Sequence, residues 1–248
     1  MSFSEELVAK YPSLHKFTGS DYVESHDGRE TALLRYIYNH PTLEEKRNSP
    51  SGIRQLMDEF AAQEDFLINI GKDKANKLEV IIAEQKPTVA VELGGYVGYS
   101  ALCFGEVMRQ AAGNAPTNLR LWSIEFDPLI ASIAMNLIDL AGLSDIVKVV
   151  VGTAADSLQR LHAQKVLTTV DFLFLDHVED LYVPDFQICE ELGLFKQGTL
   201  IVADNVLRPG APAYREYVRP RPTLESWSIK GLIMPGEFED ELEITRVK

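Results

Sequence analysis

The sequence has no uninterrupted apolar run of about 18 residues, so no membrane-spanning helix is expected. Cysteine is scarce: Cys103 and Cys189 stand alone, each inside a stretch that reads as a helix. Two buried free thiols suit a reducing compartment and argue against a disulfide-stapled secreted fold. Basic residues are also short, with 24 Lys and Arg against 37 Asp and Glu, a formal net charge of −13. Without a Lys/Arg cluster a phosphate backbone would be repelled, so neither nucleic acid nor a membrane surface is an expected partner. The acidity itself reads most simply as a solubility device. The first residues, Met1-Ser-Phe-Ser-Glu-Glu-Leu7, lack the apolar centre of a secretory signal, and the expected location is cytoplasmic.

What is present is ordinary globular composition, 46% hydrophobic and 25% charged over 248 residues, enough for one large α/β domain. Residues 1–28 are polar and weakly patterned and read as an N-terminal extension, partly helical and packed on the body; residues 29–248 read as a single domain. Leu33, Leu34, Tyr36 and Ile37 fit one helical face that stops near Pro41. Ser51 is a plausible N-cap for a helix from Ile53 to Gln63. From Thr88 onward β-rich and helical stretches alternate. Strands are expected at Thr88–Glu92, Leu119–Ile124, Val147–Val151, Val170–Leu175 and Gly198–Ala203. Helices are expected at Tyr99–Ala112, Pro128–Leu140, Ala154–His162 and Val183–Leu192. This alternation predicts a doubly wound, mostly parallel sheet of Rossmann type. Two β-type runs between Leu224 and Val247, broken at Pro235-Gly236, add an antiparallel hairpin and bring the sheet to seven strands.

In such a sheet ligands bind beyond the carboxyl ends of the strands. The first strand runs into Glu92-Leu-Gly94-Gly-Tyr96-Val-Gly98-Tyr-Ser100, whose glycines let the backbone approach a ligand, although such a turn can also be merely tight. The phosphate-cradling G-x-G-x-x-G spacing fails because Leu93 stands where its first glycine belongs. Glu92 would repel a pyrophosphate but attract the ammonium and sulfonium of S-adenosylmethionine. The second strand ends Glu125-Phe126-Asp127-Pro128, where a carboxylate can accept hydrogen bonds from two ribose hydroxyls or can simply stand as a charge at a helix N-terminus.

The fourth and fifth strands end in Leu175-Asp176-His177 and Ala203-Asp204-Asn205. Adjacent strands would converge Asp176, Asp204 and the Asn205 amide oxygen on one point, a set of hard oxygen ligands suited to Mg²⁺. One strand-end Asp can be only a helix cap. Two, with an adjacent Asn and no counter-cation nearby in sequence, favour a metal.

These segments, Glu92-Leu-Gly-Gly-Tyr-Val-Gly-Tyr-Ser100, Phe174-Leu-Asp-His177 and Ala203-Asp-Asn-Val206 with Pro209-Gly-Ala-Pro212, resemble the catechol O-methyltransferase family. The likeness runs from about Arg29 to Val247 and takes in Glu30–Tyr36 and Asn69-Ile-Gly71 with Lys74. It implies a methyltransferase that moves a methyl group from S-adenosylmethionine to one hydroxyl of a small aromatic diol, with Mg²⁺. It further implies that Glu92, Gly94, Tyr96 and Ser100 surround the methionine moiety and that Ile70 closes over it. Glu125 would hold the ribose and Phe126 would flank the adenine. Asp176, Asp204 and Asn205 would bind the metal, with Asp176 and His177 also beside the cofactor. Phe66, Val178 and Pro209 would wall the flat substrate.

Three positions depart from the family. Glu179 stands where the family has its catalytic Lys, three residues after the first metal Asp. Met234, with Glu237 close by, stands where the family has a Glu near the final hairpin. Val178 is smaller than the usual Trp. A carboxylate that titrates near 4.3 is a weak base unless burial raises it, so Glu179 leaves open a relative that binds the cofactor but turns over slowly. A methyltransferase for another phenolic metabolite and, distantly, a nucleotide-dependent oxidoreductase are the other readings.

Overall fold

A computed structural model describes residues 4–17, 24–113, 118–235 and 238–248. The chain opens with a short helix, α1 (Glu5–Lys10), and a 3₁₀ segment, Pro12–Phe17. Four helices then precede the sheet: α2 (Arg29–Tyr38), α3 (Leu43–Lys46), α4 (Pro50–Gln63) and α5 (Gly71–Gln85). Helix α4 starts earlier than expected. Ser49, not Ser51, is its N-cap, its hydroxyl accepting from Gly52 N at 3.1 Å, and Pro50 fills the first turn where no N–H is needed. Helix α5 was not evident from the sequence. Its buried stripe, Lys74, Leu78 and Ile82, has the four-residue helical spacing, but it begins with a lysine, which hides the pattern.

Thereafter strands and helices alternate: β1 (Val89–Leu93), α6 (Tyr99–Ala112), β2 (Arg120–Glu125), α7 (Pro128–Leu140), β3 (Val147–Val151), α8 (Ala154–Ala163) and β4 (Val170–Leu175). They are followed by α9 (Tyr182–Glu191), β5 (Phe195–Ala203), α10 (Pro212–Val218), β6 (Leu224–Ile233) and β7 (Phe238–Val247). The seven strands lie in the order β3-β2-β1-β4-β5-β7-β6, with β7 antiparallel to both neighbours and the rest parallel.

Strand β4 shows why these runs read as continuously apolar. Phe172 and Phe174 point into the face covered by α4 to α7, where Phe104 meets both rings edge-on at 5.6 and 5.1 Å. Leu173 and Leu175 point to the opposite face, under α9 and α10, against Phe186 and Tyr214. Period-2 alternation thus delivers apolar side chains to two cores, each fully buried one contributing about 1.5–3 kcal/mol.

The register places the site. Leu93 pairs with Ile124 on one side and Leu175 on the other, and Leu175 pairs with Ala203. The residues that follow, Gly94, Glu125, Asp176 and Asp204, therefore emerge together at one edge, where the strand order reverses between β1 and β4. Among the described residues no helix is long and apolar enough to cross a membrane.

Candidate active site

At the β1 tip Glu92 is fully buried. Its Oε2 accepts from Ser123 Oγ at 2.5 Å, and the nearby Ser100 hydroxyl also favours the charged carboxylate. Burial pushes its pKa up to about 7; the two hydroxyls pull it back, and Glu125 adds to the rise. Glu92 Oε1 has no partner. A buried acceptor left open is costly unless a ligand meets it, and a cation is the natural complement of a carboxylate. Gly94 is required by geometry: its φ is +93°, and a Cβ there would lie 2.1 Å from the Asp176 carbonyl oxygen. The β1 and β4 tips touch at this glycine.

Glu125 is held from the backbone, accepting from Tyr96 N and Asp127 N at 2.8 Å each. Burial raises its pKa while these amides and that of Phe126 oppose the rise. The neighbouring Asp127 caps α7, accepting from Leu129 N and Ile130 N. Phe126 beside it is 72% exposed, an apolar ring presented to solvent at the strand tip. Tyr96 sits at φ +42° and its hydroxyl donates to Glu30 at 3.0 Å. Ser100 is buried in the first turn of α6, and Ile70 is buried immediately before α5.

Phe66, expected to wall the substrate, packs against the N-terminal segment. It is 2% exposed and packs with Tyr11 and Leu14 of the N-terminal segment, the Tyr11 ring meeting it edge-on at 6.0 Å. The Arg29 guanidinium lies 4.4 Å over the same ring and donates to the carbonyls of Phe66 and Glu24. Arg29 thus fastens residues 24–28 to the body, and His26 meets Asp127 at 3.3 Å beside the β2 tip.

At the tips of β4 and β5 Asp176, Asp204 and Asn205 emerge side by side. Asp204 is buried, and its Oδ1 accepts from Lys74 Nζ at 2.5 Å and from Asn205 N at 2.7 Å. The counter-cation missing from the local sequence therefore arrives from α5. Lys74 is buried too and donates to Asp240 Oδ2 of β7 at 2.6 Å. Burial alone would lower the Lys74 pKa, but Asp204 and Asp240 outweigh it and the net shift is upward. Asp176 lies well above the usual carboxylate range, through burial first and then repulsion by Asp204, with Glu92 and Glu179 adding. Asp204 is raised as well, chiefly by burial. Among the described residues no three His, Cys, Asp or Glu side chains gather as a metal cluster. The group here is two carboxylates and an amide.

His177 Nε2 stands 2.7 Å from Asp185 Oδ2; a carboxylate only accepts, so Nε2 carries the proton, and Nδ1 is left buried without a partner. Val178, 60% exposed, precedes a single 3₁₀ turn, Glu179–Leu181. Glu179 is half-buried and forms no ion pair among the described residues. Burial raises its pKa, its own backbone amide and His177 resist, and Glu24 and Asp180 push further upward. Pro209 lies in the kinked Val206–Gly210 segment after Asn205. Met234 is partly exposed at the end of β6, with its side chain against Gly71; Gly236 and Glu237 lie outside the described residues. The sequence reading missed Asp240 and Asp185, and it saw Glu30 and Lys74 only as part of the resemblance. A lysine on an otherwise apolar helix stripe was the one available signal.

A family model described as O-methyltransferase matches residues 44–221. The chain belongs to the O-methyltransferase family. Its sequence relatives include the catechol O-methyltransferase of Bos taurus, 33% identical over 215 residues, covering 87% of this chain and 75% of that one. The Sus scrofa protein of the same name is 37% identical over 176 residues, covering 71% of this chain and 91% of that one. In fold the chain matches an O-methyltransferase from Bacillus cereus solved in complex with SAH, with a TM-score of 0.66 at 22% identity, covering 89% of this chain and all of the other. This protein is therefore an O-methyltransferase related to the catechol O-methyltransferases, and the doubly wound fold expected from its sequence is the fold observed.

Proposed function

We propose that this methyltransferase acts on one hydroxyl of a catechol or a similar vicinal-hydroxyl aromatic, with Mg²⁺ as its metal. The observation that carries the reading is the donor inventory at the β4 and β5 tips. Asp204 Oδ1 and the Asn205 amide hydrogens are engaged within the protein, whereas Asp204 Oδ2, Asn205 Oδ1 and the Asp176 carboxylate have no donor among the described residues. Oxygens of this kind, beside the β1 crevice, fit a hard divalent cation. When bound, the metal would supply Lewis-acid stabilisation of a phenolate.

The remaining roles belong to the chain. Glu92, with its open Oε1, would hold the cofactor's ammonium, and Glu125 its ribose hydroxyls. Gly94 would let the backbone close on the methionine portion, with Tyr96, Ser100 and Ile70 around it. Phe126 would border the adenine, Asp176 and His177 would lie beside the S-adenosylmethionine, and Phe66, Val178 and Pro209 would wall the flat acceptor. Orientation of this kind can contribute on the order of 7–11 kcal/mol to the barrier reduction. Glu179 would take the phenolic proton only in so far as burial has raised its pKa. Residues 29–248 would work as one catalytic domain with residues 1–28 as an extension. The two free, buried cysteines support a cytoplasmic setting.

Methyl transfer from labelled cofactor across a panel of catechols and monophenols, with and without chelator, tests this. Transfer to the catechols alone, abolished by chelator, is expected. Full turnover in excess chelator would remove the metal, and transfer to monophenols alone would remove the diol. A slowly turning relative is a second reading, favoured by Glu179, which has no ion-pair partner among the described residues; cofactor binding without transfer to any acceptor would select it.

A further inference from the structure

We infer that Asp240 is the positioning residue that fixes the Asn205 amide with its oxygen toward the metal site, an inference that rests on the metal reading above. Asp240 comes from β7, far from the strand tips in sequence, and is fully buried. The four hydrogen bonds of its carboxylate all reach the site's supports. Oδ2 accepts from Lys74 Nζ at 2.6 Å and from Asn205 Nδ2 at 3.1 Å, and Oδ1 accepts from Leu207 N at 3.1 Å and Arg208 N at 2.9 Å.

An amide has two N–H donors and one carbonyl oxygen, and its orientation follows from what faces each end. Asn205 Nδ2 gives one hydrogen to Asp240 Oδ2 and the other to the Arg208 carbonyl at 3.0 Å. Turning the amide over would set its oxygen against two acceptors, one of them charged. Oδ1 is thereby committed to the other side, the side a cation can use. The same carboxylate holds the backbone of residues 207 and 208, and through Lys74 it also ties down Asp204 Oδ1. One buried Asp thus restrains two of the three proposed ligands, and supporting contacts of this kind commonly change metal affinity about 10–100-fold when lost.

Asp240→Asn separates the orienting role from a general structural one. The new carbonyl can still serve Leu207 N and Arg208 N, but the new amino group meets Lys74 and Asn205, donors against donors. Mn²⁺ binding followed by electron paramagnetic resonance on the full-length protein, with S-adenosylhomocysteine present, is expected to weaken about 10–100-fold while S-adenosylhomocysteine affinity holds. Adding Asn205→Asp to this variant should recover much of the loss, because a carboxylate can accept from the new amino group and still offer an oxygen to the metal. Asn205→Asp alone should weaken binding, since it faces Asp240. Mn²⁺ affinity unchanged in Asp240→Asn, or the same effect of Asn205→Asp in both backgrounds, overturns the inference. If Asp240→Asn does not fold, Asn205→Asp alone decides: equal or tighter Mn²⁺ binding overturns it. Asp204→Ala is the reference. Mn²⁺ binding retained there removes the metal reading itself, whereas binding lost there but kept in Asp240→Asn removes only the role of Asp240.

Discussion

The two halves of the strand-tip crevice handle buried carboxylates in opposite ways. At the β1 and β2 tips the partners are local. Glu125 takes backbone amides from Tyr96 and Asp127, and Glu92 takes a hydroxyl from Ser123 on the adjoining strand. At the β4 and β5 tips the partner is distant, since Lys74 reaches Asp204 across 130 positions and Asp240 across 166. The first arrangement leaves an open, readily neutralised carboxyl; the second is a charged network that fixes Asp204 Oδ1 and leaves its remaining oxygens open. Local support keeps a site adaptable, and long-range support makes it rigid.

The sharpest way to break this contrast is Lys74→Met. Removing one partner of a buried ion pair typically costs about 3–5 kcal/mol, and here two carboxylates, Asp204 and Asp240, lose their cation together. The variant should melt well below the parent at pH 8 and recover partly as pH falls, because the buried Asp204 carboxyl, already raised by burial, can take up a proton and the folded state then binds more protons than the unfolded one. A melting temperature that is equally low at pH 5 and pH 8 would show that packing, not charge, was lost.

Glu92 should give the parent itself a pH dependence of the same sign. Its folded pKa of about 7 lies above the ordinary 4.5, so between these values the folded state holds the extra proton. Stability contributed at acid pH is therefore lost as pH rises from about 4.5 to about 7, in total up to roughly 3 kcal/mol. Glu92→Gln should flatten that decline in denaturant titrations and weaken the cofactor. In the parent, cofactor binding near pH 6.5 should release a proton, which calorimetry in buffers of different ionisation enthalpy reads directly. No buffer dependence would mean that the cofactor's ammonium does not meet Glu92. A smaller effect is expected at Glu125, where Glu125→Ala should weaken the cofactor about tenfold, roughly 1.4 kcal/mol. Unchanged affinity there would take Glu125 out of the ribose contact.

The same contrast governs what could be read from the sequence. Four strand and helix segments, Val147–Val151, Val170–Leu175, Tyr99–Ala112 and Pro128–Leu140, were legible to the residue because periodicity is a local property. So were Glu92, Gly94 and Glu125 as strand-tip residues. Asp176 and Asp204 were visible as carboxylates ending apolar runs, but the absence of a nearby cation in the sequence said nothing about α5. Asp240 was hidden for the same reason: in Phe238-Glu-Asp-Glu-Leu it is one acid among several, and only the antiparallel pairing of β7 with β5 brings it to Asn205. Phe66 was assigned a wall position by resemblance, while its burial under Tyr11 and Leu14 depends on an extension without clear patterning.

Glu179 sits between the two halves, and Glu179→Lys tests how far its charge limits catalysis. It forms no ion pair among the described residues and contributes to the upward shift of Asp176, so its charge falls on the side of the acidic cluster. A lysine base can accept a proton as a neutral amine and then remain beside the phenolate as an attractive ammonium; a glutamate begins negative and ends neutral. One unit charge at about 4 Å is worth roughly 4 kcal/mol at an effective dielectric near 20, an upper bound that exposure of Glu179 reduces. The parent should therefore speed up as pH rises and the acceptor hydroxyl ionises unaided, while Glu179→Lys should be faster near pH 7 and gain less from added base. If Glu179→Gln and Glu179→Lys both match the parent across pH, the side chain takes no part. A large loss in both would instead make Glu179 the base, its raised pKa being what lets a carboxylate do the work.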